Sequence, residues 1–447
     1  MASLVELRDH ARQIFAVGLA SADPFEAVKR HVSLQGNDLR VGDSGYDVAD
    51  IRHVYVIGCG KAAARMALAL EVILGARIAD GAVIVKYGHG TPLNTIQVVE
   101  AGHPIPDDNG LNGARRVIEF AGNAGAEDLI LFVVSGGGSA LLPMPVVGLT
   151  LADKQTTTQA LLACGATIGE VNAVRKHLSQ LKGGRLAGLA QPSQIISLIL
   201  SDVVGDSLEA IASGPTAPDT TTYADCLEIV RRYDLGGKIP AVVGNFLERG
   251  AAGKIAETPK PSNPIFRNVQ NLIVGSNRLA LAAAKQKAEA LGYHTQIVSS
   301  TIQGESRIVA LSHAAQAKSI LEGNYPVQRP ACLLSGGETT VTVHGDGLGG
   351  RNQEFALAAA LALDDAMDGL EDVVILSAGT DGTDGPTDAA GAIVDGTTIR
   401  RGRSKGMDAQ PFLARNDSYH FLQATDDLLI TGPTLTNVMD VQIILVS

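Results

Sequence analysis

Short, continuously apolar runs alternate with helix-patterned segments through most of the chain. His53–Ile57 (HVYVI), Ala82–Val85, Asp128–Val134 (DLILFVV) and Ile195–Leu200 (IISLIL) have strand length and almost no polar interruption. Ala62–Leu74 and Asn112–Phe120 carry helical spacing between them. Strands that are apolar on both faces and separated by helices predict a parallel sheet covered on both sides. Upstream, residues 4–19 predict an amphipathic helix. A second helix begins at Asp23-Pro24-Phe25-Glu26, with Asp at the N-cap and Pro at the first helical position.

The alternation stops between Phe246 and Asn268, where Gly, Pro, Lys and Ser dominate, as in a linker or hinge. It then resumes with strands predicted at Asn271–Val274, Thr295–Ser299, Ala331–Leu334, Thr339–Val343, Val373–Ser377 and Ile443–Val446. Helices are predicted at Arg278–Leu291 and Glu305–Leu321. The expectation is an α/β protein of two domains: an N-terminal Rossmann-like α/β/α sandwich over residues 1–245, a hinge at 246–268, and a C-terminal α/β domain over 269–447. A chain of 447 residues is too long for one ordinary core, which agrees with that division.

Composition narrows the function. Hydrophobic residues make up 45% and charged residues 19%, the profile of a packed globular protein. The net charge of −11 excludes a general nucleic-acid binder, because phosphate neutralisation needs a surplus of Lys and Arg. Cys59, Cys164, Cys226 and Cys332 lack CxxC spacing and read as reduced thiols. The segment Met1 to Leu19 lacks the apolar core of a signal peptide, and no uninterrupted apolar run reaches about 18 residues. The expected location is therefore cytoplasmic, with no membrane partner.

In open α/β sheets ligands meet the carboxyl ends of strands, so the residues directly after each apolar run carry the chemistry. Gly58-Cys59-Gly60-Lys61-Ala62-Ala63 follows the first run and fits a dinucleotide fingerprint. The next strand, however, ends Val85-Lys86-Tyr87-Gly88 without the ribose-binding carboxylate. A cation at a helix start opposes the dipole, so Lys61 makes sense beside a bound anion held near Gly60. Ser135-Gly136-Gly137-Gly138-Ser139 exposes backbone N–H groups and two hydroxyls, as an anion nest does. Asn172 to Arg185 holds five basic or His residues within eleven positions. Arg175, Ser179 and Lys182 share a helical face at i, i+4 and i+7.

Asp202, directly after IISLIL, is the preferred general base; Asp206 could do the same or bind Mg2+ through water. Ser335-Gly336-Gly337-Glu338 repeats the strand-then-glycine arrangement. Arg351 and Asn352 open a helix after Gly347-Leu348-Gly349-Gly350 and suit phosphate or carboxylate. Asp381 and Asp384, among Gly and Thr after VVILS, are candidates for a divalent cation, with a run of Asx-turns as the structural alternative.

Together these blocks resemble the class II glycerate kinase (glycerate 2-kinase, MOFRL-type) family. GCGKAA, LFVVSGGGSALL, NAVRKHLSQLKGGRLA, SDVVGDSLEAIASGPTAPD, LSGGETTVTV, GLGGRNQEFAL, SAGTDGTDGPTDAAGAIVD and TGPTLTNVMDV occur in family order from about residue 58 to 441. The resemblance implies transfer of the γ-phosphoryl of ATP to the 2-hydroxyl of D-glycerate with a divalent cation, in a cleft between the two domains. On that expectation Lys61 and Arg351 neutralise anionic oxygens, Asp202 takes the hydroxyl proton, and the Ser/Gly loops hold oxyanions. The hinge would close the cleft, and a homodimer is left open. The rival readings are an NAD(P)-dependent hydroxypyruvate reductase and a non-catalytic anion-binding protein.

Overall fold

A computed structural model describes residues 3–364 and 372–447. The chain divides into two compact units, one spanning Pro24–Val274 and the other joining Met1–Asp23 to Gly275–Ser447.

The contiguous unit opens with a helix over Pro24–His31 and a small antiparallel sheet of β1 (Val32–Gln35), β2 (Asp38–Val41) and β3 (Ser44–Asp47), which the apolar pattern did not announce. Its main sheet contains β4 (Val54–Cys59), β5 (Ile78–Lys86), β6 (Gln97–Ala101), β7 (Leu129–Val134), β8 (Gln194–Leu200) and β9 (Val269–Gly275). Their order is β6-β5-β4-β7-β8-β9, and the first five pair in parallel. The two central strands are buried at nearly every position because helices cover both faces. Adjacent β4 and β7 run in register from Val54 and Leu129 to Cys59 and Val134, so the loops after them emerge side by side.

The second unit holds β10 (His294–Ile302), β11 (Ala331–Gly337), β12 (Val373–Gly379), β13 (Gly391–Asp395), β14 (Leu428–Leu429) and β15 (Asp440–Val446) in the order β10-β11-β15-β12-β13-β14. Only β10 and β11 pair in parallel; the remaining neighbours are antiparallel.

The domain boundaries differ from those expected. The helix over Ala241–Ala251 runs into the segment taken as a hinge, and β9, expected to begin the second domain, lies in the first sheet. The chain passes between units at Asp23–Pro24 and at Val274–Gly275. The helix over Leu4–Ser21, expected with the N-terminal domain, buries Leu7, Ile14 and Phe15 against Leu281, Ala284 and the second sheet. The expected strand at Thr339–Val343 is reduced to a single bridge from Thr340 to Glu305. The Glu305 carboxylate accepts from Thr342 N, and Val343 is exposed.

Polar contacts reinforce the docking of that first helix. Arg8 donates to Asp395 at 2.5 Å and pairs with Asp427 at 2.8 Å; Arg401 bonds the same two carboxylates. Both Asp side chains are fully buried. Removing one cation from such a cluster strands a buried charge, which costs about 3–5 kcal/mol. Arg8→Ala should therefore lower the calorimetric unfolding midpoint of the unit containing residues 275–447. An unchanged midpoint would show that the helix docks by its apolar face alone.

Candidate active site

The loops after β4 and β7 are locked together. Ser135 N donates to Cys59 O at 3.1 Å, Lys61 N to Gly136 O at 2.9 Å, and Ala62 N to Ser135 Oγ at 3.0 Å. Gly60 sits at φ +129°, and a Cβ there would overlap Ser135, so only glycine permits this approach. The Ser135 hydroxyl is thus bound within the scaffold. A Cβ on Gly136 would overlap Asp202 Oδ2, which places that carboxylate against the bare face of the glycine loop. A Cβ on Gly137 would stand 2.9 Å from His103 Cδ2 and 3.5 Å from Lys61 Cγ. Lys61, Asp202 and the Gly136–Gly137 backbone, selected separately from the sequence, therefore surround one spot.

His103 enters from the loop after β6. Burial, followed by the charges of Lys61, Lys86 and His89, lowers its pKa to about 4, so its imidazole is neutral at pH 7. The sequence reading missed it because β6 was not recognised as a strand; the rule about strand ends would otherwise have selected it.

Beside this spot lies a cavity of about 480 Å³ walled by Gly137, Gly138, Ser139 and Asp202, by the helices over Leu151–Ala163 and Ile168–His177, and by residues 103–106. Lys154, Arg175 and Lys182 face it. Lys154 and Lys182 are buried, and their ammonium groups donate to the carbonyls of Pro143 at 3.1 Å and Leu142 at 2.6 Å. Burial is the leading cause of depression in all three cations. It lowers Lys182 to about 7 and Lys154 well below the ordinary lysine value, and neighbouring cations add to the shift in both lysines. Among the described residues no carboxylate pairs with Arg175. Uncompensated cations in low-dielectric surroundings are costly unless a ligand supplies the missing charge. Lys154 gave no sequence signal, since ADKQTTTQ reads as a solvated helix face.

The basic segment divides between two tasks. The helix stops at His177, so Arg175, Ser179 and Lys182 do not lie on one helical face as expected. Ser179 Oγ donates to Met144 O, inside the unit. Lys176 bonds Glu209 and Asp219, and His177 bonds Glu257. Lys176 and His177 therefore serve the scaffold, while Arg175 and Lys182 reach the cavity. Ser139 hydrogen-bonds Ser213 at 2.9 Å, and Ser213 donates to Asn172, which also lines the cavity.

In the other unit Arg351 is already engaged. It donates to Asp440 at 2.6 and 2.9 Å and to Glu338 at 2.8 Å, which uses three of the five N–H donors of a guanidinium. Asp440 is completely buried, and burial raises it to about 6 against the lowering effect of Arg351. Asn352 donates to Asp440 and Asp384 and accepts from Ser377.

Asp384, expected as a metal ligand, accepts from the backbone N–H groups of Asn352 and Gln353 and so caps the helix over Arg351–Asp364. Asp381 is half-buried and accepts from Thr383 N, an Asx-turn; Asp206 is half-buried in the first unit. Among the described residues no three His, Cys, Asp or Glu side chains gather as a metal site. Ser335, Gly336 and Gly337 lie within β11, with their backbone in the ladder to β15, so they form no open nest. Ser335 Oγ bonds buried His313 at 2.7 Å, and Gly336 makes room for Asn277.

Comparison with known proteins places these features in a family. Residues 10–248 match the model described as a domain of unknown function (DUF4147), and residues 331–440 match the MOFRL family. The chain is 41% identical to the glycerate 2-kinase of Pyrococcus horikoshii over 444 residues, covering 99% of this chain and 98% of that protein. The crystal structure of a Thermotoga maritima glycerate kinase superposes with a TM-score of 0.88 at 39% identity, covering 99% of this chain and 100% of that one. An Agrobacterium vitis protein named putative hydroxypyruvate reductase is 45% identical over 393 residues, covering 88% of this chain and 98% of that protein. Among the described residues no helix is long and apolar enough to cross a membrane.

The buried lysine has a consequence for stability. Below pH about 7 Lys182 is charged in both the folded and unfolded protein, and folding bears the full cost of burying it. Between about pH 7 and the free-lysine value of about 10.4 the unfolded chain binds more protons, so this contribution to stability rises with pH. Lys182→Met removes it. Denaturant unfolding should show the variant more favoured relative to its parent near pH 7 than near pH 10. A difference independent of pH would place the Lys182 charge in solvent.

Proposed function

Since the chain belongs to the glycerate 2-kinase family, we propose that it phosphorylates the 2-hydroxyl of D-glycerate with ATP at the spot enclosed by Lys61, Asp202 and the Gly136–Gly137 backbone. The observation that carries this reading is the approach of the Asp202 carboxylate to bare glycine backbone beside Lys61. Phosphoryl transfer asks a protein for positioning and charge neutralisation more than for covalent chemistry. That arrangement supplies an acceptor for one proton and a cation for developing negative charge.

The glycerate 2-hydroxyl gives its proton to the Asp202 carboxylate as its oxygen bonds to Pγ. The bond from Pγ to the bridging oxygen breaks, and its electron pair leaves on ADP. Lys61 neutralises the transferring phosphoryl oxygens, and the main chain of Gly136 and Gly137 offers N–H groups without side-chain obstruction. His103, being neutral at pH 7, serves as a hydrogen-bonding wall without adding charge.

Arg351, Glu338 and Asn352 belong to a cluster with two carboxylates around one guanidinium. Two N–H donors of Arg351 remain for a ligand after its three internal bonds. Its role in this reading is shared: it orders Asp440 and Glu338 and offers those two donors.

Mg2+ is bound in many phosphotransfer sites by one or two carboxylates together with substrate phosphates. This chain fits that mode better than an all-protein cage, because Asp384 is consumed as a helix cap and no three ligands gather among the described residues. Asp206, in the unit that carries Asp202, is the candidate that would hold it there, and its chemistry would be neutralisation of phosphate charge; Asp381 is a separate candidate in the other unit.

The reductase reading is disfavoured because Lys86, which ends β5, and Tyr87 after it carry no carboxylate at the position that would hold a ribose. Incubation with ATP, Mg2+ and D-glycerate should yield 2-phosphoglycerate by 31P NMR, while NADH absorbance with hydroxypyruvate should stay constant. NADH consumption without phosphoglycerate would sink the kinase reading. Asp202→Asn should lower kcat roughly 10²–10⁴-fold, the usual contribution of a positioned acid or base. Lys61→Ala should lose activity with its circular dichroism spectrum and melting temperature retained; unchanged turnover would remove Lys61 from the mechanism.

A further inference from the structure

The cavity beside Asp202 is far larger than a three-carbon acid requires, and its two ends differ in chemistry. At about 480 Å³ it falls within the roughly 300–1,000 Å³ of pockets that enclose drug-sized ligands. Two helices give it direction. Along Leu151–Ala163 the lining residues Leu151, Lys154, Thr158 and Leu162 recur every three or four positions and share one face. Along Ile168–His177, Ile168 and Arg175 line it as well. The helices are joined by a short turn, so Leu162 and Ile168 lie at one end, and Lys154 and Arg175 at the other. Eight residues of helix separate Lys154 from Leu162, or about 12 Å at 1.5 Å per residue.

The inner end is cationic. Lys154, Arg175 and Lys182 line one cavity, and after burial the charges of Lys182 and Arg175 lower Lys154 while that of Arg175 lowers Lys182. A single carboxylate would leave most of that charge unanswered, whereas a polyphosphate would answer it. The outer end is apolar and open: Leu162 is 56% exposed and Ile168 68%, and both line the cavity. A flat ring seated there would cover them.

We propose that this cavity holds the adenine nucleotide, with its phosphates on Lys154, Arg175 and Lys182 and its base against Leu162 and Ile168. This rests on the kinase reading for the identity of the nucleotide and adds where it binds and in which direction. The γ-phosphate end then lies toward Gly137 and Asp202, which line the same cavity. Asn172 and Ser139 supply neutral hydrogen bonds along the wall.

Lys154→Met and Leu162→Asp test the two ends separately. ADP and adenosine affinities are measured by titration calorimetry, and KM for ATP and for glycerate by a coupled assay, with melting temperature confirming the fold. Lys154→Met should weaken ADP binding at least tenfold and leave adenosine binding unchanged. Leu162→Asp should weaken both at least tenfold, and in both variants KM for ATP should rise while KM for glycerate stays within about twofold. A rise in KM for glycerate with ADP affinity intact would overturn the proposal and give the cavity to the acid substrate. Loss of 2-phosphoglycerate binding without loss of ADP binding would overturn it in the same way. If the parent binds ADP through these residues but does not phosphorylate glycerate, the kinase reading fails and the nucleotide site stands.

Discussion

The contact on which the site depends is the interlock between the loops after β4 and β7. Lys61 N bonds Gly136 O, Ala62 N bonds Ser135 Oγ, and Gly60 lets the two backbones approach to a distance that no side chain would tolerate. Parallel pairing of β4 and β7 in register is what brings these loops to the same height. Once they are tied, Gly136 presents a bare face that Asp202 fills, and Gly137 presents one that His103 and Lys61 fill. The carboxylate, the lysine and the imidazole all take their positions from glycine backbone held by a few main-chain hydrogen bonds. The geometry is consequently rigid without being built from side-chain packing, as a site for phosphoryl transfer requires.

The neighbouring cavity shows the opposite economy. Cys59, Leu141, Leu142 and Leu181 belong to the apolar core behind it, yet Lys154 and Lys182 are buried at its edge, bonded to main-chain carbonyls. A protein selected for stability alone would place apolar side chains there. Stored electrostatic cost of this kind concentrates at functional sites, because a ligand that brings the opposite charge recovers it on binding. The contrast within one helix sharpens the point. Lys176 and His177 find Asp219, Glu209 and Glu257, whereas Arg175, the residue before them, finds no carboxylate among the described residues.

The parallel sheet was legible in the sequence because HVYVI, DLILFVV and IISLIL are apolar on both faces and too short for helices. Lys61, Asp202 and the Ser135–Ser139 loop were legible for the same reason: a charge or several glycines directly after a buried strand has few structural explanations. One partly covered strand, β6, was not legible. β6 mixes Gln97 and Glu100 with apolar residues, and its omission hid His103. The hinge was misplaced because Gly, Pro and Lys mark a loop without stating which unit owns it; β9 after that loop still pairs in the first sheet. Ser335-Gly336-Gly337 imitated Ser135-Gly136-Gly137 in sequence. The ladder to β15 continues through it, however, so glycine there serves the packing of Asn277 and of the neighbouring strand instead of a ligand.

Lys154 and Arg351 mark the limits of residue type as a guide to charge. Arg351 stands at a glycine-rich helix start, the setting in which an arginine suggests an anion site, but Asp440 and Glu338 already hold it, so the local field around it is not simply positive. Lys154 stands in a polar stretch that suggests solvent, yet it is buried with two other cations and, among the described residues, no carboxylate bonded to it. What separates them is the count of opposite charges within reach, a quantity set by tertiary structure. By that count a polyanionic ligand gains more beside Lys154 than beside Arg351.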